Sequence, residues 1–141
     1  MKLEEILMQE NVVDSINCNI KELLELIPEL RHMIGYKDYK YNGLNAWQFT
    51  LYLLSITDMN LEHRVSILLH DIGIPFSKNN KEYNFKSNII SEVMAKRILS
   101  RLKYNKTFID KVCNLIIEEN YKFDNNMNKD VKKLLKNKKI V

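Results

Sequence analysis

The sequence predicts an all-α fold, a compact bundle of about six to seven helices. Apolar residues recur at three- and four-residue steps through almost the whole chain. Only three Gly and two Pro occur in 141 residues, too few to turn the hairpins of a sheet protein. No alternating strand pattern, heptad run or internal repeat competes with the helical spacing.

Each element follows from its own residues. Leu3, Ile6 and Leu7 mark a short opening helix, expected to fray as part of an N-terminal extension over 1–19. Ile20, Leu23, Leu24 and Ile27 form a stripe that Pro28 ends, because proline removes a donor and clashes with the preceding turn. Leu30, Met33 and Ile34 add one turn, and Gly35 closes it. Residues 36–44 read as loop. Asn45 is the expected N-cap of a helix from Ala46 to about Ile56, which is apolar on most faces and therefore central. Asp58 or Asn60 caps the next, carrying Leu61, Val65, Leu68, Leu69 and Ile72 up to Gly73 and Pro75.

A polar loop is expected through Lys81. Ser87 is placed as the cap of a helix from Asn88 to Lys103, and Thr107 with Asp110 as the capping box of one reaching about Asn120. Val131, Leu134 and Leu135 suggest a short last helix. The expected organisation is one domain, with its core at 20–120 and a basic segment at 121–141.

Length and composition agree with this. A chain of this mass buries roughly 70% of the surface it exposes when unfolded, enough for a core without disulfide or metal staples. Hydrophobic content of 45% with 28% charged residues excludes a disordered chain. Cys18 and Cys113 have no metal-ligand spacing and read as reduced core thiols of a cytoplasmic protein. The opening MKLEEILMQE has Glu where a secretion signal needs an apolar run, and no stretch is long enough to cross a membrane.

The net charge of +4 is unevenly placed: residues 1–30 carry −5 and residues 121–141 carry +5. Only four of the 22 basic residues are Arg, which argues against forked recognition of bases or phosphates.

His70-Asp71 is the pair that carries chemistry. It follows the apolar run Ile67-Leu68-Leu69 and precedes Ile72-Gly73-Ile74-Pro75. Taking a carboxylate out of water costs several kcal/mol, so Asp71 requires a partner. An imidazole nitrogen beside a carboxylate oxygen suits a hard or borderline cation. The alternative is structural: His70 bonds a carbonyl, while Asp71 bonds backbone amides or Arg64.

The string LLHDIGIP at Leu68–Pro75 resembles the signature of the HD superfamily, all-α metal-dependent phosphohydrolases. More closely, residues 20–136 resemble the HD region of bacterial CCA-adding tRNA nucleotidyltransferases and poly(A) polymerases. The resemblance is carried in order by LIPELRHMIG at Leu26–Gly35, NAWQFTL at Asn45–Leu51 and EHRVSILLHDIGIP at Glu62–Pro75. SEVMAKRILSRLKYN at Ser91–Asn105 and KTFIDKVCNLI at Lys106–Ile116 continue it. The resemblance implies an HD-domain-like bundle.

It also implies a divalent ion held by a His on the helix before the pair, by the pair itself, and by an Asp on a later helix. Many family members add a His after the pair. In this register the first His position is Phe49, the post-pair His is Ser87, the later acid falls near Tyr121, and a phosphate-facing Lys is Ile74. Only His70 and Asp71 survive. The chain's three His are 32, 63 and 70, so a multi-His site has no donors on the helices the family uses. Glu118, Glu119 or Asp124 can add a stray carboxylate, giving at most a weak, vestigial site.

The expectation is therefore a degenerate HD domain, an RNA- or nucleotide-associated accessory module with no cofactor. It would work on tRNA or another RNA, or beside a separate nucleotidyltransferase chain, whose paired carboxylates have no counterpart here. Two alternatives stand: a residual phosphohydrolase using Mg, Mn, Ni or Fe at His70 and Asp71, and a structural helical partner. Lys129, Lys132, Lys133 and Lys136 are the candidate phosphate contacts, against a plain solvated face. Tyr36, Tyr39 and Tyr41 with Lys37 and Lys40 are a second candidate surface, against loop aromatics covering a helix. His63 reads as a surface residue, His32 as a cap of helix-end carbonyls, and Trp47 as core.

Overall fold

The computed structural model describes residues 1–37, 39–41, 43–76 and 83–122, and of 39–41, 83–86 and 119–122 the backbone alone. Among the described residues the fold is all-α, with eight α-helices, one 3-10 turn and a two-stranded ribbon. The helices are α1 Leu3–Leu7, α2 Val12–Cys18, α3 Ile20–Leu26, α4 Leu30–Met33, α5 Ala46–Ser55, α6 Leu61–Leu69, α7 Tyr83–Arg101 and α8 Lys106–Lys122. The 3-10 turn is Ile74–Phe76, between α6 and α7.

The opening helix is part of the core. Leu3, Ile6 and Leu7 are buried, and α1 packs on α2, α3 and α6. The reason lies on α6. The Arg64 side chain is buried and donates through Nη1 to the carbonyls of Leu7 (2.5 Å) and Gln9 (2.7 Å). Its Nε and Nη2 reach the carbonyls of Asp58 (3.0 Å) and Thr57 (3.4 Å). One guanidinium thus closes the C-terminal end of α1, where helix carbonyls lack intrahelical partners, against the α5–α6 turn. Burial pulls the Arg64 pKa down, and nearby Asp58 partly offsets that.

Helix α2 has no counterpart in the sequence reading. Its signal is local: the Asn11 side chain accepts from the Asp14 amide at 3.2 Å, and Val12 and Ile16 are buried. Residues 39–41 and Leu44, expected as loop, form with Asn45 the antiparallel strands β1 (39–41) and β2 (44–45), with Tyr39 opposite Asn45 and Tyr41 opposite Leu44. Gly43, at φ +89°, makes the tight reversal between them.

The central helix is α5, buried from Phe49 to Leu54 and at Ala46 and Trp47. Asn45 caps it as expected, accepting from the Gln48 amide at 2.9 Å while the Gln48 side chain accepts from the Asn45 amide at 3.0 Å. Asn60, rather than Asp58, caps α6 through the His63 amide at 3.0 Å. Helix α7 begins at Tyr83, so Ser87 lies inside it, buried, instead of capping it. Asn105, not Thr107, caps α8, accepting from the Phe108 amide at 2.8 Å.

Helices α7 and α8 form a hairpin that packs on α6 through α8. The hairpin turn is a Schellman closure, with the Tyr104 amide donating to the Leu99 carbonyl and the Lys103 amide to the Ser100 carbonyl. Lys103 takes the left-handed position at φ +69°, where glycine is usual. Arg101 then ties the hairpin to the α3–α4 corner through a forked pair with Glu29, at 2.8 and 3.0 Å. That contact holds the Glu29 carboxyl below its ordinary range.

Candidate functional site

His70 and Asp71 end α6 and enter the 3-10 turn, where the chain runs beneath α7. Both are buried, at 0% and 1% exposure. The His70 Nδ1 lies 2.6 Å from the Ile67 carbonyl, an oxygen that can only accept, so Nδ1 carries a proton and donates it there. Nε2 in turn lies 3.1 Å from Asp71 Oδ2. Arg64, offered as a partner for Asp71, instead serves the carbonyls of Leu7, Gln9, Thr57 and Asp58.

The ring of Phe49, on α5, stands edge to face on the His70 imidazole, with centroids 6.2 Å apart and planes at 64°. Phe49 is fully buried. The residue at the register of the expected first imidazole is therefore beside the pair, and it is a hydrocarbon. Ile74, at the register of the phosphate-facing Lys, is also buried, and so is Ser87, at the register of the post-pair His.

Gly73 explains how the pair is covered. An alanine Cβ at this position would lie 2.7 Å from the Ser91 nitrogen and 2.9 Å from Ile90 Cβ and Cγ2. Its amide donates to Ser91 Oγ at 2.9 Å. The glycine is required by the close approach of α7, and this contact closes the backbone over the turn that follows Asp71.

No family model, curated protein or solved structure matches the chain.

His70 Nε2 and Asp71 Oδ2 can offer two donors to a cation. A transition metal takes about four and Mg about six. Among the described residues no group of three or more His, Cys, Asp or Glu side chains converges to complete a sphere. Glu118 is exposed; the Glu119 and Tyr121 side chains and Asp124 lie outside the described residues.

The other predicted residues are dispersed. His63 is 42% exposed, and its Nδ1 is 3.0 Å from Asp58 Oδ1. His32 is exposed and meets the edge of Phe76 at 5.2 Å; no bond from it to a carbonyl is present among the described contacts. Trp47 is core. Cys113 is buried, but Cys18 is exposed on α2, contrary to its expected core place, because it falls on the face opposite Val12 and Ile16. Tyr36 is half-buried; the side chains of Tyr39, Lys40 and Tyr41 are outside the described residues. So are Lys129, Lys132, Lys133 and Lys136, and the expected helix at Val131, Leu134 and Leu135. No described helix is long and apolar enough to cross a membrane.

Sequence reasoning missed the close approach at Gly73 and the surface around the α7–α8 turn. Lys96, Ser100, Lys103, Tyr104 and Lys106 line a cleft of about 530 Å³. Its signal was a lysine where the helix-ending spacing calls for glycine.

Proposed function

We propose that this chain is a non-hydrolysing HD-like domain, akin to the HD region of tRNA nucleotidyltransferases, that serves as an RNA-binding accessory module. The observation that carries the reading is the Phe49 ring packed on His70 inside a closed core. A hydrolytic site would need a third donor where that ring stands, and a path for a charged phosphoester. Burying such an ester beneath Ile74 and Phe49 would leave its charge unpaired, at a cost of several kcal/mol. His70 then has a structural role: its Nδ1–H gives the buried Ile67 carbonyl at the end of α6 a second donor, beside the His70 amide at 3.3 Å. The basic balance of the chain supports RNA as the ligand class, through a salt-sensitive electrostatic contact.

Two measurements on the purified protein test this. Elemental analysis, with phosphodiester turnover in added Mn²⁺ or Ni²⁺, is expected to give substoichiometric metal and no activity that His70→Ala removes. RNA affinity is expected to fall steeply as salt rises. A stoichiometric, tightly held ion with His70-dependent hydrolysis would establish the alternative, a residual phosphohydrolase. The 3.1 Å approach of Nε2 and Oδ2 is the feature that favours it.

A further inference from the structure

We infer that the α7–α8 turn is an RNA phosphate-backbone contact, centred on Lys103 and Lys106 and flanked by the ring of Tyr104. The inference rests on the RNA reading above and gives it a location within the described fold.

Three observations converge there. The first is shape and charge. Lys96 from α7, Lys103 from the turn and Lys106 at the start of α8 line one open cleft of about 530 Å³, with the Ser100 hydroxyl among them. Lys103 and Tyr104 also line a neighbouring cleft of about 400 Å³ that adds Lys2 and Glu4, whose charges offset each other. Two concave surfaces thus share one lysine and one aromatic ring. Glu92 takes the ammonium of Lys96 at 3.1 Å, and Asp110 lies on the α8 side. A phosphate is therefore directed to the Lys103–Lys106 end.

The second is the backbone of Lys103. The left-handed conformation at φ +69° costs a side-chain-bearing residue roughly 1 kcal/mol that glycine avoids. The closure itself needs only the two amide bonds to Leu99 and Ser100. Lysine holds this position at the expense of stability, and what it adds is a cation at the lip of both clefts.

The third is Tyr104. Its ring stacks on Phe108 with centroids 4.5 Å apart and planes at 17°, and its hydroxyl donates to Glu4. The ring is braced on two sides and is half-buried. A fixed aromatic beside lysines suits a base stacked next to its own phosphate, whereas an acidic peptide gains nothing from it.

The test is fluorescence anisotropy with a labelled single-stranded RNA of about 20 nucleotides, across about 50 to 200 mM salt. Lys103→Gly with Lys106→Gln is expected to lower low-salt affinity about tenfold and to make the salt slope shallower by about 1.4, near 0.7 for each lysine removed. Lys103→Gly alone is expected to keep or raise the thermal midpoint, which separates lost binding from lost folding. Lys111→Gln, on the α6-facing side where Lys111 reaches Glu62, is the control and leaves binding unchanged.

Wild-type affinity and slope retained in the double variant, with loss on replacing Lys129, Lys132, Lys133 and Lys136, would overturn this site and leave the RNA reading standing. No RNA binding by the wild-type protein at any salt would overturn both. Binding of a polyglutamate peptide in place of RNA, lost in the double variant, would assign the clefts to an acidic protein partner instead.

Discussion

Replacing Gly73 by Ala perturbs the close approach of the backbone after the His-Asp pair to α7. The added Cβ would meet the Ser91 backbone nitrogen at 2.7 Å and two Ile90 carbons at 2.9 Å. Carbon atoms are comfortable at about 3.5–4.0 Å, so α7 must retreat by roughly 0.6–1 Å. Overpacking of that kind costs about 1–3 kcal/mol. The retreat also stretches the buried bond from the Gly73 amide to Ser91 Oγ, now 2.9 Å, and an orphaned buried donor costs about 1–3 kcal/mol. Gly73 is not in the left-handed region, so alanine meets no backbone penalty and regains about 0.4–1 kcal/mol from the unfolded chain.

The net expectation is a loss of about 2–4 kcal/mol, read as a lower urea midpoint at unchanged slope. Ser91→Ala alone removes only the acceptor and is expected to cost about 1–2 kcal/mol. Trimming Ile90 in the Gly73→Ala background recovers little, because the Ser91 nitrogen cannot be trimmed. A Gly73→Ala protein within about 0.5 kcal/mol of wild type would refute the close-approach argument, since that is the range of a neutral surface change.

The remaining expectations concern the N-terminus and the thiols. Arg64→Ala leaves the buried Leu7 carbonyl and its neighbours without their donor and is expected to cost about 3 kcal/mol, with α1 amides losing hydrogen-exchange protection first. Uniform loss across all helices would argue against a local clamp. Burial pushes the Cys113 thiol up from 9.0 to about 11, so iodoacetamide on the native protein is expected to modify Cys18 and spare Cys113. The linked stability is fully present below about pH 9 and is lost as pH rises toward 11, where the unfolded thiol ionises first. Cys113→Ala should flatten that alkaline decline; an unchanged decline would place its origin elsewhere.

What the sequence conveyed depended on how local each cause is. The caps at Asn45 and Asn60 are readable because an Asx side chain and the amide three residues later are fixed by the chain itself. The stop before Pro28 is readable for the same reason. Helix α2 escaped because it is short and β-branched at its start, and is held by burial of Val12 and Ile16 rather than by propensity. The expectation that α1 frays failed on one long-range contact, the reach of Arg64 across more than fifty residues to Leu7 and Gln9. In the site, the pairing of His70 with a carbonyl was foreseeable from a buried imidazole at a helix end. The role of Gly73 was not, since close approach to Ser91 depends on where α7 packs.

These particulars bear jointly on where a ligand can act. Three contacts close the His70–Asp71 region from different directions: Phe49 from α5, Ile74 from the 3-10 turn, and the Gly73–Ser91 approach from α7. Each involves the rigid interior, and opening any of them requires moving a helix that contributes to the core. The α7–α8 turn has the opposite properties. Its lysines stand at the periphery, its helix closure accepts a residue that costs stability, and its aromatic ring is braced by Phe108 and Glu4 without being enclosed. A module that binds a polyanion needs an exposed cation and a surface the anion can reach without desolvating fully, which the turn offers and the pair does not. On this reading the His-Asp pair now serves the fold, and recognition lies at the hairpin turn.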